Sequence, residues 1–119
     1  MPTVLIVDDV PEMHELLGSI LPGAGFRMLS AESAEEALAL FEAHQPDIVV
    51  ADVTIKPSSG YDLLAELHTR DPAAKVVLMS GHKGREHARR AHEAGALAYL
   101  EKPFQLREFT RLMQELTDA

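Results

Sequence analysis

Ile48-Val49-Val50-Ala51 is an unbroken apolar run, rich in β-branched side chains, that ends directly on the carboxylate of Asp52. A strand with one wet face alternates apolar and polar residues. A run without alternation reads as a strand covered on both faces, as in a parallel sheet between helical layers. Thr3 to Val7 has the same character and ends on Asp8-Asp9. Open α/β sheets bind ligands at the edge where their strands end. A charge at the end of a buried strand is costly unless something offsets it.

The rest of the chain alternates in the same way. Pro11 suits the first turn of a helix carrying Val10, Met13, Leu16, Leu17, Ile20 and Leu21, stopped by Pro22-Gly23 and Gly25. Phe26 to Ala31 is a weaker strand near an edge. Ser33-Ala34-Glu35-Glu36 has the form of a capping box, with Ala34, Ala37, Leu38 and Phe41 as the apolar stripe behind it. After the central strand comes a loop holding Pro57 and Gly60, then a helix defined by Leu63, Leu64 and Leu67. Lys75 to Met79 is a fourth strand. Arg85 to Ala94 is a fourth helix, with Gly95 at C′ and only Ala88, Ala91 and Ala94 to turn inward. Ala98-Tyr99-Leu100 is a fifth strand, and Leu106, Phe109, Leu112, Met113 and Leu116 mark the last helix.

Five strands alternating with five helices predict an α/β fold, a doubly wound parallel sheet with right-handed crossovers, in one domain spanning residues 1–119. Every strand then leaves the sheet at one edge. Asp8, Asp9, Asp52, Ser80 and Lys102 are thereby expected around one crevice, although up to 94 positions separate them. Three converging carboxylates raise each other's pKa unless a cation is present. They suit a hard divalent ion held by carboxylates, a carbonyl and water, which describes Mg²⁺ better than zinc or a closed Ca²⁺ cage. Lys102 adds a fixed positive charge and Ser80 a hydroxyl. Such a site fits an incoming phosphoryl group, with Asp52 as the nucleophile.

Composition narrows the alternatives. The chain has no cysteine, which excludes disulfides and thiolate chemistry. Its longest apolar runs are five residues, too short for a membrane span, and no signal peptide is read before the first strand, so a cytoplasmic location is expected. The net charge of −8 is uneven. Residues 1–81 carry 4 basic and 13 acidic side chains, whereas residues 82–111 carry 7 and 4. The six histidines show no metal-binding pattern. His82, His87 and His92 are five apart, which on a helix disperses them, and His14, His44 and His68 read as surface residues of helices.

Ile6-Val7-Asp8-Asp9, Val50-Ala51-Asp52 with Gly60 eight residues on, Met79-Ser80-Gly81 and Tyr99-Leu100-Glu101-Lys102-Pro103-Phe104 together resemble the receiver domain of two-component response regulators. The spacings of 28 residues from Asp52 to Ser80 and 22 from Ser80 to Lys102 fit as well. The resemblance covers essentially the whole chain and implies a flavodoxin-like strand order of 2-1-3-4-5. It implies Asp52 as phosphoacceptor, Asp9 as a direct Mg²⁺ ligand, Asp8 acting through a bound water, and the carbonyl of Thr54 as the third protein ligand. It also implies Ser80 and Tyr99 as a switch pair, Lys102 as a contact to phosphoryl oxygens, and a cis Lys102-Pro103 bond. Two departures stand out: Ile55 and Lys56 replace the common Met-Pro, and Pro57 comes one place late. Thr54 and His82 occupy positions the family varies.

What this implies is a phosphorylation-dependent switch, not a turnover enzyme. Its phosphoryl donor would be a histidine kinase or phosphotransfer protein. The expected output face is the Arg85–Arg111 region, meeting an effector or a second copy through Arg85, Arg89, Arg107 and Arg111, with neither nucleic acid nor membrane as partner. The chain ends just after its last helix, which favours a single-domain regulator. The competing readings are a degenerate receiver that acts by binding alone and a haloacid dehalogenase-like phosphohydrolase. The latter puts its nucleophile on the first core strand with an acid two residues on, where this chain has Thr54. A flavodoxin-like redox protein shares the topology, but Asp8-Asp9 would repel the phosphate that its first loop must hold.

Overall fold

Five parallel strands form the centre of the molecule in the order β2-β1-β3-β4-β5. They are β1 (Thr3–Val7), β2 (Arg27–Ala31), β3 (Ile48–Asp52), β4 (Val76–Ser80) and β5 (Ala98–Glu101). Helices α1 (Pro11–Gly18), α2 (Ala34–His44), α3 (Gly60–Arg70), α4 (Arg85–Glu93) and α5 (Leu106–Thr117) alternate with them. The structure is a computed structural model and describes residues 1–118. All residues of β3 and β4 are buried, as apolar runs without alternation require. Two cores result, one on each face of the sheet. Leu5, Val49, Leu63, Leu64, Leu67 and Leu78 lead the first, and Ile6, Leu17, Val50, Met79, Phe109 and Met113 the second.

The register sets the level of every strand end. Val7 pairs with Ala51, so Asp8 and Asp52 follow side by side. Asp52 pairs with Met79 and Ser80 with Glu101, which brings Ser80 and then Lys102 to the same edge.

Local signals mostly act as read. Ser33 accepts the Glu36 amide at 3.2 Å, and Ser59 caps α3 through the Asp62 amide at 3.1 Å. Glu36 reaches back one residue further than a capping box requires, accepting from the Glu32 amide at 2.9 Å. Gly95 has φ +106°, the left-handed turn that ends α4. Lys102-Pro103 is cis, and so is Lys56-Pro57.

Three expectations need correction. Helix α1 stops at Gly18 instead of running to Leu21, because glycine is a poor helix former and the Ser19 hydroxyl donates to the Leu16 carbonyl. Val10 and Leu16, assigned to its apolar stripe, are 45% and 44% exposed. Helix α4 ends at Glu93, and of its three inward alanines only Ala91 is buried; Ala88 and Ala94 face solvent.

Gly60 opens α3 directly against the end of the central strand. A Cβ there would lie 2.6 Å from the Asp52 carbonyl oxygen and 2.9 Å from the Val53 Cα. Both obstacles are backbone, so neither can turn aside. Gly60→Ala is therefore expected to destabilise the fold by about 1–3 kcal/mol, the usual cost of forcing extra atoms into a packed site. Urea denaturation measures it, and an unchanged midpoint would show that the strand end yields freely.

Candidate functional site

Asp8, directly after β1, and Asp52, the last residue of β3, are almost wholly buried, at 0% and 5% exposure. Two neighbouring buried carboxylates need a cation, and Lys102, from the segment after β5, supplies it. Its Nζ donates to Asp8 Oδ2 at 2.9 Å and also to Asp52 Oδ2. The remaining oxygens are met from the strand-end loops. Asp52 Oδ1 accepts from the amide and the hydroxyl of Thr54, each at 2.8 Å. Asp8 Oδ1 accepts from the Val10 amide at 2.8 Å, folding the chain into α1.

This arrangement decides the charge state. Burial pushes the Asp52 carboxyl up, but the Lys102 ammonium and the two Thr54 bonds outweigh it and hold the group below its usual value. Burial likewise pulls the Lys102 ammonium down, and its bonds to Asp52 and Asp8 leave it above its usual value. The expectation was that the carboxylates raise one another's pKa unless a cation is present, and at Asp52 Lys102 is that cation, inside the chain.

Asp9 stands exposed beside the pair. Among the described residues, no three carboxylate or imidazole groups converge closely enough to hold a metal ion as they lie. The donor set nevertheless fits one. Asp8, Asp9 and Asp52 against Lys102 leave two uncompensated negative charges, and every donor is a hard oxygen, as Mg²⁺ prefers.

Ser80 is 1% exposed at the end of β4, and its Oγ accepts from the His82 amide at 3.1 Å. The Tyr99 hydroxyl donates to the carbonyl of that same His82 at 2.5 Å. Ser80 and Tyr99 therefore meet through one residue, a link with no signature in the sequence. Glu101, next to Lys102, accepts from the Gly84 amide at 2.8 Å and ties the start of α4 to β5.

The histidines also depart from expectation. His14 is not a plain surface residue: its Nε2 donates to the Asp8 carbonyl at 2.6 Å, and its buried Nδ1 has no hydrogen-bond partner among the described residues. Its place three residues before buried Leu17, on one helix face, was the available signal. His68 is half-buried, with Nε2 3.0 Å from the Ala74 carbonyl. His82 precedes α4 and escapes the helical rotation, so its ring stacks on His87 with centroids 5.2 Å apart.

Comparison with known proteins places this geometry. Residues 4–114 match the family described as the response regulator receiver domain. The nitrogen assimilation regulatory protein NtrX of Azorhizobium caulinodans is 36% identical over 103 residues, covering 85% of this chain and 23% of that protein. The chain spans about a quarter of the length of the first curated relatives it matches. The receiver domain of NtrX from Brucella abortus superposes with a TM-score of 0.90 at 30% identity, covering 98% of both chains. A CheX–CheY–BeF₃–Mg²⁺ complex from Borrelia burgdorferi matches with a TM-score of 0.89 at 25% identity, over 97% of this chain and 88% of that one.

The ion pair makes a prediction in pH. With Asp52 below its ordinary 3.8, its contribution to stability is present above that value and is lost as pH falls through and below it. With Lys102 above its ordinary 10.5, its contribution is present below that value and is lost at higher pH. Lys102→Met strands two buried carboxylates and is expected to cost about 3 kcal/mol at pH 7, the lower end for a broken buried pair. The deficit should shrink toward pH 4 as the stranded carboxyls take up protons. Urea denaturation of both chains across this range checks it; a deficit constant with pH would contradict the pairing.

Proposed function

The chain belongs to the response regulator receiver domain family, and from that membership we propose that it takes a phosphoryl group onto Asp52 from a histidine kinase or phosphotransfer protein in the cytoplasm. The observation that carries this reading is the state of Asp52 itself: a carboxylate at the end of a fully buried strand, kept ionised by Lys102 and oriented by Thr54.

An Asp52 oxygen attacks phosphorus, and the bond from phosphorus to the donor's imidazole nitrogen breaks as the new P–O bond forms. Thr54 fixes the rotation of the attacking carboxylate through both of its bonds to Oδ1. Lys102 already bridges two strand ends and can follow the charge from the carboxylate to the phosphoryl oxygens. Ser80 Oγ accepts from His82, which leaves its own proton to donate to one of those oxygens.

Mg²⁺ would be held by Asp9, Asp52 and the Thr54 carbonyl, with Asp8 acting through water, and it supplies neutralisation of phosphoryl charge. The residual charge of the crevice supports this, as does the Mg²⁺ and BeF₃ named for the Borrelia complex.

The phosphorylated state is read as a changed surface. If Ser80 turns toward the phosphoryl group, its bond to His82 is given up, and the contact of Tyr99 with that residue changes with it. The adjacent groove, about 820 Å³ and lined by Lys83, Arg85, Tyr99, Glu101, Phe104 and Glu108, is where an effector or second copy would meet the Arg85–Arg111 region. Arg89 contributes less than its position suggested, because it shares its charge with Glu86 at 3.6 Å and Glu93 at 3.4 Å.

With acetyl phosphate and Mg²⁺, intact mass should rise by one phosphoryl group, and Asp52→Asn or EDTA should abolish the gain. Equal labelling of the Asp52→Asn chain would refute the assignment. Asp9→Ala should remove the Mg²⁺-induced shift in melting temperature while leaving the metal-free fold as stable or more so, since one repelling carboxylate is gone. A wild-type Mg²⁺ shift in that variant would remove Asp9 from the ligand set.

A further inference from the structure

Helix α4 is held at its two ends by different kinds of contact. Only Ala91 of this nine-residue helix is buried, and a helix so short is marginal without outside support. Toward its C-terminus the support comes from α3. The Arg90 guanidinium carbon lies 4.5 Å from the centroid of the Tyr61 ring, within cation–π range. One turn on, Gly95 sits against His68, whose Cε1 would be 2.9 Å from any Cβ there. The Ala96 amide closes back on the Ala91 carbonyl at 3.0 Å. Among the described residues, the side chains of Asp8, Asp52 and Lys102 make their hydrogen bonds to one another, to Val10 and to Thr54, and none to these groups.

Toward its N-terminus the support comes from β4 and β5 at the site edge. Gly84 caps the helix with φ +116° and no side-chain bond of its own. The segment is tied down by the bonds of Ser80 to His82, Tyr99 to His82 and Glu101 to Gly84. Each is a single hydrogen bond that water can replace at small net cost.

We propose that Tyr61 and Arg90, with His68 behind Gly95, are positioning residues that pin the C-terminal half of α4 to α3 as a pivot. The switch then swings only the N-terminal end. Five residues separate Arg85 from Arg90, a lever of about 7.5 Å at 1.5 Å per residue. A tilt about that pivot displaces Lys83 and Arg85, which line the groove beside the site, and leaves Glu93 and Gly95 in place.

The pivot rests on the phosphoacceptor reading only for what drives the moving end, so it is tested first without any phosphoryl donor. Amide hydrogen exchange at Ala94, Gly95 and Ala96 reports the pinned end, and exchange at His82 and Gly84 the other. Arg90→Gln should speed exchange at the pinned end about two- to fivefold, the worth of one exposed cation–π contact, and leave His82 and Gly84 unchanged. Tyr61→Leu, which keeps apolar bulk, should do the same, and the double variant should add nothing. Tyr99→Phe should speed only His82 and Gly84. Unchanged exchange in Arg90→Gln, or equal acceleration at both ends, overturns the pivot and leaves the assignment of Asp52 intact. After phosphorylation by acetyl phosphate, verified by mass, amide shifts within the stretch 82–96 should be confined to residues 82–88 in the wild type and reach Ala96 in Arg90→Gln. Shifts spread evenly along wild-type α4 would overturn it as well.

Discussion

One ammonium shared between two buried carboxylates organises this molecule. Lys102 lies 94 positions from Asp8 and 50 from Asp52, and a parallel sheet with its strands in this order brings the three together. Without Lys102 the strand ends would carry adjacent buried charges, each costing several kcal/mol to desolvate. With it, the central strand can end on an ionised side chain at 5% exposure. The fold thus tolerates at one edge what its core forbids elsewhere. That edge still carries more negative than positive charge, which is the electrostatic condition for recruiting a divalent cation.

From this centre, connection to the surface takes few steps. Ser80 and Tyr99 each contact His82, by its amide and its carbonyl. Glu101, one residue from Lys102, holds the Gly84 amide where α4 begins. A rearrangement that moves Ser80, Tyr99 or Glu101 therefore reaches the start of α4. The far end of that helix answers to α3 instead, through Tyr61 and His68. A helix anchored by one buried alanine is well suited to such divided control, because little apolar surface resists its movement.

Much of this was legible in the residues alone, for a physical reason. Strands buried on both faces must be apolar throughout, so Thr3–Val7 and Ile48–Ala51 announce themselves and the topology follows. The site residues stand at strand ends, where a polar side chain after an apolar run is conspicuous. What escaped the sequence depends on three-dimensional neighbours. Periodicity placed Val10 and Leu16 on an inward stripe, but α1 ends at Gly18 and both are exposed. Ala88 and Ala94 looked buried because alanine is apolar, yet so small a side chain fits either environment. His82 was assigned helical rotation although its helix starts three residues later, which hid its stacking on His87. The two bonds from Thr54 to Asp52 have no signature beyond adjacency, and that of His68 to the carbonyl six residues on has none.

Lys102 and the two Thr54 bonds together outweigh burial at Asp52, and the carboxyl carbon of Asp52 reports this directly. Followed by carbon-detected NMR through an acid titration of the metal-free chain, that carbon should titrate with a midpoint below 3.8, and above 3.8 in Lys102→Met. A wild-type midpoint at or above 3.8, or one that Lys102→Met leaves unmoved, would contradict the account at its centre.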